Sequence, residues 1–330
     1  MNFTLNVLGT ASAKPSTDRY QSAQVLDVRG RLFLIDCGEG TQMRLAKARI
    51  PVLSINHICI SHVHGDHVFG IFGLLSTMGM FGRTSALDIF APRSFAPVLD
   101  FFMKQFGQGI KFAINFVPLS MKEPETVFQT RSVELLAFPL RHGIECYGFI
   151  IREKQPQYNV CKDSIERLGL TIAEIASLKN GVDVVRPAGE CTMACEENGF
   201  KPCSGSDVPL LISVAEHAYI PYEPRSYAYC SDTAPFPELA QWVRGVTVLY
   251  HEATFPEDMS ERAAATFHSR TVDAARCAAE AGVGKLLVGH FSSRYRDVSF
   301  FLDEIKPIFG NSVLCRDGDV FDLPLVRFSK

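Results

Sequence analysis

The segment Ser61-His62-Val63-His64-Gly65-Asp66-His67 holds three imidazoles and one carboxylate within six residues. Imidazole and carboxylate together suit Zn²⁺ or a similar first-row ion. A satisfied surface cluster is the bland alternative, and the density of ligand-type side chains argues against it. Alternate positions on an extended loop cannot all reach one ion. Two neighbouring ions fit better, with His62 and His64 on one and Asp66 and His67 on the other. Such a centre needs more ligands. His142 in Pro139-Leu140-Arg141-His142-Gly143, Asp232 in Tyr229-Cys230-Ser231-Asp232-Thr233 and His290 in Val288-Gly289-His290-Phe291 each end an apolar run. Singly, each is as readily a cap or a hydrogen-bonded group. Together with the dense motif they make the ordered set that a dinuclear centre requires.

Strand ends are where ligands gather in α/β architectures, and the rest of the pattern supplies the strands. Short apolar or alternating runs predict strands over 3–8, 24–28, 31–36, 57–61, 87–90, 112–118, 127–139, 147–152, 227–231, 246–251 and 285–289. Helical spacing predicts helices over 41–48, 68–81, 94–106, 237–244, 272–281 and 298–308. Strands alternating with helices imply sheets covered by helices. The segment 155–224 breaks the rhythm. It predicts helices over 162–168 and 172–178, with Thr171 as N-cap of the second, followed by a polar stretch. It reads as an arm-like insertion within a single domain spanning 1–330.

Hydrophobic residues form 47% of the 330, enough for a sizeable core, and the net charge of -3 announces no nucleic-acid partner. Between Arg152 and Lys201 lie seven Lys/Arg and eight Asp/Glu, so the insertion is not a basic arm. The N-terminus enters a strand pattern at once, without the basic and apolar regions of a signal peptide. No apolar stretch is long enough to cross a bilayer. Ten scattered cysteines then read as reduced thiols in a cytoplasmic protein. Cys191, Cys195 and Cys203 cluster in the insertion. Without a paired C-x-x-C they read as incidental thiols rather than a structural zinc site.

The ordered set His-x-His-x-Asp-His, His, Asp, His resembles the metallo-β-lactamase superfamily, and within it the ribonuclease Z family, endonucleases that trim the 3′ end of precursor tRNA. Further segments carry the resemblance along almost the whole chain: Asp36-Cys37-Gly38-Glu39-Gly40-Thr41-Gln42, Arg141-His142-Gly143, Ser231-Asp232-Thr233, His251-Glu252-Ala253-Thr254-Phe255 and Gly289-His290-Phe291-Ser292-Ser293-Arg294-Tyr295. The resemblance implies an αββα sandwich with an inserted tRNA-binding arm, acting as a homodimer on precursor tRNA. It implies two zinc ions per subunit, one held by His62, His64 and His142, the other by Asp66, His67 and His290, with Asp232 bridging. It makes Asp66 the proton acceptor. Ala265-Thr266-Phe267-His268-Ser269-Arg270 resembles the family's His-Ser-Thr loop, which makes His268 a proton donor oriented by Glu252. The products would be a tRNA with a 3′-hydroxyl and a trailer with a 5′-phosphate.

Two segments depart from the family. The early loop Pro-x-Lys-x-Arg-Asn reads Pro15-Ser16-Thr17-Asp18-Arg19-Tyr20 here. Arg19 is retained as a candidate substrate contact, while Thr17 and Tyr20 replace the Lys and Asn. His-Ser-Thr becomes His-Ser-Arg, which makes Arg270 a second candidate for phosphate. The alternative within enzymes is a hydrolase of the same fold acting on a small-molecule ester. A di-iron redox protein of that fold is disfavoured by His64, where that group carries a carboxylate. A binding protein with a dead site is disfavoured by the complete ligand set.

Overall fold

The computed structural model describes residues 1–14, 16–188 and 209–329. The chain divides into two compact units, Met1–Glu153 with Arg225–Pro324, and Lys154–Pro224 with Leu325–Lys330. The first unit carries the expected ligands on two seven-stranded sheets. One sheet runs Val320–Asp322, Phe3–Gly9, Ala23–Val28, Arg31–Ile35, Ile55–Cys59, Leu87–Pro92, Ile114–Leu119. The other runs Ser312–Leu314, Leu286–Gly289, Val248–Glu252, Ser226–Cys230, Tyr147–Glu153, Val133–Pro139, Glu125–Gln129. Each sheet is part antiparallel and part parallel. The parallel halves begin at Arg31–Ile35 and at Ser226–Cys230.

Alternation along the strands decides the layers. Phe149 and Ile151 join Phe3, Leu5 and Phe33 in an apolar layer shared by the two sheets. Ile150, between them, faces Leu239, Ala274 and Phe301 in a second cluster instead. Full burial of such a side chain contributes about 1.5–3 kcal/mol. Helices Thr41–Lys47, Gly70–Met80 and Ala96–Phe106 cover the first sheet, packing Leu45, Ile71, Leu74 and Phe102 on Leu34, Ile58 and Ile89. Pro237–Trp242, Thr271–Ala281 and Phe301–Ile305 cover the second. The layer order is helix, sheet, sheet, helix.

Most expected elements match to within two residues at either end, and three differ more. The run 127–139 is two strands, because Thr130 folds a hairpin by accepting the Val133 N–H at 3.1 Å on its hydroxyl. The helix expected at 68–81 starts earlier, as the single turn Gly65–Val68 followed by Gly70–Met80. Asp66 and His67 therefore sit on helical rather than extended backbone, with the His67 N–H on His64 O at 3.0 Å. The helix expected at 298–308 is confined to Phe301–Ile305. Among the described residues no helix is long and apolar enough to cross a membrane.

In the second unit the helices Lys162–Leu168 and Ile172–Lys179 stand where spacing put them. Gly169, at φ 54°, ends the first. Thr171 caps the second: its hydroxyl accepts the Glu174 N–H at 3.3 Å while Glu174 Oε2 accepts the Thr171 N–H at 2.7 Å. Leu170, Leu178 and Ile212 form a small core. Arg186 donates to both Glu174 oxygens, at 2.6 and 2.8 Å. These bonds from Arg186, with those from Thr171, hold the Glu174 carboxyl down at about 2. A depressed pKa contributes stability above the ordinary carboxylate range that is lost on acidification. Amide protection across Ile172–Lys179, taken relative to the intrinsic exchange rate at each pH, should therefore hold down to the ordinary value of 4.5 and decline between there and about 2. Glu174→Gln should remove that dependence. Cys191, Cys195 and Cys203 lie outside the described residues.

Candidate metal centre

The expected ligands arrive from separate strand ends of the first unit. His62 and His64 follow Ile55–Cys59, His142 follows Val133–Pro139, Asp232 follows Ser226–Cys230, and His290 follows Leu286–Gly289. Their ligand atoms gather in two groups, His62, His64, His142 with Asp232, and Asp66, His67 with His290; within each group these atoms lie within 4.8 Å of one another. The second group is buried, whereas His64 opens the first to solvent. Asp232 faces both. Its Oδ2 lies 3.6 Å from His62 Nε2 and 4.0 Å from His142 Nε2. Its Oδ1 lies 3.5 Å from His67 Nε2 and 3.2 Å from His290 Nε2.

Outer partners fix which nitrogen points inward in four of the rings. His67 Nδ1 donates to Asp36 Oδ2 at 2.8 Å, and His142 Nδ1 donates to the Phe267 carbonyl at 3.1 Å. His62 Nδ1 lies 3.0 Å from Ser61 Oγ, and His290 Nδ1 lies 2.9 Å from Thr254 Oγ1. With the protons on that side, the inward Nε2 atoms present lone pairs. His67 Nε2 and His290 Nε2 stand only 3.2 Å apart. Asp232 Oδ1 is buried and, among the described residues, has no hydrogen-bond partner. Converging lone pairs and a buried carboxylate oxygen of this kind are unfavourable on their own, and they are a donor set that bound cations would satisfy. The residues present fit metal.

Asp36 was not among the candidate site residues, yet the centre is organised on it. Fully buried, it accepts the Ser61 N–H at 2.7 Å, the Ser61 hydroxyl at 2.9 Å and the Tyr229 hydroxyl at 2.7 Å besides His67. Its signal was an acid at the end of an apolar strand, the same one that marked Asp232. Close backbone approach completes the seat. Cys37 N–H bonds to His67 O and Gly70 N–H to Cys37 O, both at 2.8 Å, and a Cβ on Gly70 would run into the Gly38 carbonyl.

His268 and Glu252 meet beside the centre. Glu252 is fully buried and accepts N–H groups of Thr233, Thr254 and Ser269 at 3.1, 2.8 and 2.8 Å. His268 Nδ1 lies 3.0 Å from Glu252 Oε1. Burial alone would lower the His268 pKa, and Glu252 and Asp232 overcome it and hold the imidazole well above its ordinary value. The same 4.8 Å envelope gathers ligand atoms of Asp232, His268 and His290.

The two candidate phosphate contacts are engaged within the protein. Arg19 donates to the Tyr295 and Arg296 carbonyls at 2.9 and 2.8 Å and lies over the Phe291 ring. Arg270 reaches Asp273 at 2.9 and 3.1 Å and the Glu257 carbonyl at 3.2 Å. Each guanidinium shapes a loop of the site. Tyr20, in place of the family's Asn, lies under the Arg44 guanidinium. Pro15 lies outside the described residues.

A family model described as Anti-Pycsar protein Apyc1 matches residues 3–165. A ribonuclease Z of Bacteroides thetaiotaomicron is 39% identical over 320 residues, spanning 96% of this chain and 94% of that protein. One from Bacteroides fragilis is 38% identical over 316 residues, spanning 96% and 97%. Among solved structures, the short form of human tRNase Z aligns with a TM-score of 0.66 at 21% identity, over 97% of this chain and 99% of that one. The metallo-β-lactamase fold protein YhfI of Bacillus subtilis aligns at 0.65 with 16% identity, over 98% and 100%. The structural likenesses establish the metallo-β-lactamase fold, and the near full-length identity to named relatives establishes more: the chain belongs to the ribonuclease Z family, metal-dependent endoribonucleases built on that fold.

Proposed function

We propose that this chain is a zinc-dependent endoribonuclease that removes the 3′ trailer of precursor tRNA, leaving a 3′-hydroxyl on the tRNA and a 5′-phosphate on the trailer. The observation that carries the reading is the convergence of inward imidazole nitrogens on Asp232, with His268 seated on Glu252 beside them. His62, His64 and His142 would hold one zinc ion and Asp66, His67 and His290 the other, with Asp232 between. When bound, two such ions neutralise phosphate oxygens and supply a nucleophile at neutral pH.

The chain's own groups do the rest. Asp36, Ser61 and Thr254 orient the imidazoles. Asp66, fixed by the Ala13 N–H at 2.6 Å, is the proton acceptor. His268, held protonated by Glu252, donates to the departing ribose 3′-oxygen. A precursor tRNA substrate also implies a cytoplasmic setting. We further infer a homodimer. A groove of about 510 Å³ between Gly70–Met80 and Ala96–Phe106 is lined by Phe72, Phe101, Phe102 and Phe106, and Phe101 and Phe106 are mostly exposed. Apolar faces of this kind mark association surfaces, and a second copy is the occupant we infer.

The test is incubation with a trailer-bearing precursor tRNA and with bis(p-nitrophenyl) phosphate. Both should be cleaved by a protein that sediments as a dimer, and EDTA should abolish both activities. End mapping should find the phosphate on the trailer. Cleavage of the small ester alone would instead favour a small-molecule phosphodiesterase of the same fold.

A further inference from the structure

Phe267 is an aromatic residue in a backbone conformation that glycine normally takes. It follows the helix Ser260–Thr266 at φ 55°. A Cβ is crowded in that left-handed region, so helices that end this way commonly do so on Gly. Burial does not offset the strain, because Phe267 is 47% exposed. The backbone is nevertheless held on both sides of the site. Its carbonyl accepts from His142 Nδ1 at 3.1 Å, and the next residue, His268, reaches Glu252. The ring lies beside exposed Gly143, where even an added Cβ would stand 3.8 Å from Phe267 Cδ2. A half-exposed aromatic side chain is thus carried on backbone held at His142 and at His268, beside the group of ligands that His64 opens to solvent.

We propose that Phe267 is a stacking platform for the base of an unpaired nucleotide next to the scissile phosphate. Any base offers a π-face, so such a contact holds single-stranded nucleic acid without reading its sequence. Its location would set which phosphate lies over the centre. The inference rests on the ribonuclease reading above.

Steady-state cleavage of precursor tRNA tests it. Phe267→Ala should raise KM for the RNA about tenfold, the scale of one lost base–aromatic stack, and by much more than for bis(p-nitrophenyl) phosphate. Phe267→Trp should restore it. Phe267→Gly, which relieves the backbone but removes the ring, should behave like the alanine variant. An abasic nucleotide at one of the two positions flanking the cleaved bond should raise KM in the parent protein by a similar factor and add nothing in Phe267→Ala. An unchanged RNA KM in Phe267→Ala, a Phe267→Gly protein as good as the parent, or additive losses at both abasic positions would overturn the inference. So would a fall in kcat at constant KM, which marks a residue that only positions His142 and His268. If the parent protein cleaves no RNA, the ribonuclease reading fails and this inference with it. If it cleaves and Phe267→Ala matches it, this inference alone fails.

Discussion

Asp232→Asn is expected to reduce phosphodiester cleavage by at least about a thousandfold, the scale set by the several kcal/mol that metal centres contribute. The reason is geometric. Each carboxylate oxygen of Asp232 faces a different ligand group, so one substitution affects both. An amide in its place puts N–H hydrogens against imidazole nitrogens on one side and leaves a neutral oxygen on the other. A merely structural aspartate predicts the opposite. Among the described residues Oδ1 has no hydrogen-bond partner, so its loss breaks no hydrogen bond there, and the surrounding imidazoles keep their outer partners, so the chelated protein should be about as stable as the parent. The variant should therefore melt no lower than the parent in EDTA, and should lose the stabilisation that zinc gives the parent. Elemental analysis and thermal melts with and without zinc check both halves. His64→Ala is the contrast. His64 is exposed and belongs to one group only, so that variant should lose activity while retaining metal in the buried group and an unchanged fold. Two bound metal equivalents and full activity in Asp232→Asn would rule out the shared carboxylate.

The residues that gather in the candidate centre were legible because ligand-type chemistry leaves a local mark. Four ligand-type residues in a row of six, and single polar residues closing apolar runs, stand out in any window. What sat around them was legible only in part. Asp36 carried the same strand-end mark as Asp232, but its role depends on His67, Ser61 and Tyr229 converging on it from other parts of the chain. No spacing encodes that. Arg19 and Arg270 also have partners that no spacing encodes. A cation near a site suggests phosphate, and both guanidiniums also donate to carbonyls and a carboxylate that only the folded loops bring close.

The fold divides along similar lines. Long periodic stretches such as Ala96–Phe106 and Thr271–Ala281 declared themselves, because several turns repeat one apolar face. The strand Val320–Asp322 did not. Three residues carry too little period, and its place beside Phe3–Gly9 is fixed by pairing across the whole chain. The helical turn Gly65–Val68 was hidden for a different reason. Its polar ligands mask any apolar periodicity, so the metal motif reads as loop although its last residues are helical. That turn matters to the chemistry, since it brings Asp66 and His67 around to the buried group while His62 and His64 remain with the open one.

His268→Ala should lower kcat for precursor tRNA by about 10²–10⁴-fold, the range over which a positioned proton donor acts, and should lower hydrolysis of bis(p-nitrophenyl) phosphate far less. A ribose 3′-oxygen is a poor leaving group and needs a proton, whereas p-nitrophenolate departs without one. The contrast between substrates separates proton donation from a ligand role, because a ligand would be lost to both. The pH profile gives a second readout. Glu252 raises the His268 pKa against the effect of burial, so the imidazolium persists through neutral pH and the rate should fall only as pH rises past that elevated value. Glu252→Gln removes the larger of the two charges that raise it, leaving Asp232 alone against burial, so the pKa should fall. The alkaline limb for RNA should move to lower pH, while the small ester keeps its profile. Glu252→Gln also meets the Thr254 N–H and the Ser269 N–H with one acceptor fewer, so some stability should be lost, on the order of 1–3 kcal/mol for an unsatisfied buried donor. The shift of the limb is independent of that loss, since it is read from the folded fraction. Equal losses on both substrates in His268→Ala would reassign His268 to the ligand group it shares with Asp232 and His290, and an unmoved limb in Glu252→Gln would leave the imidazole without its proposed partner.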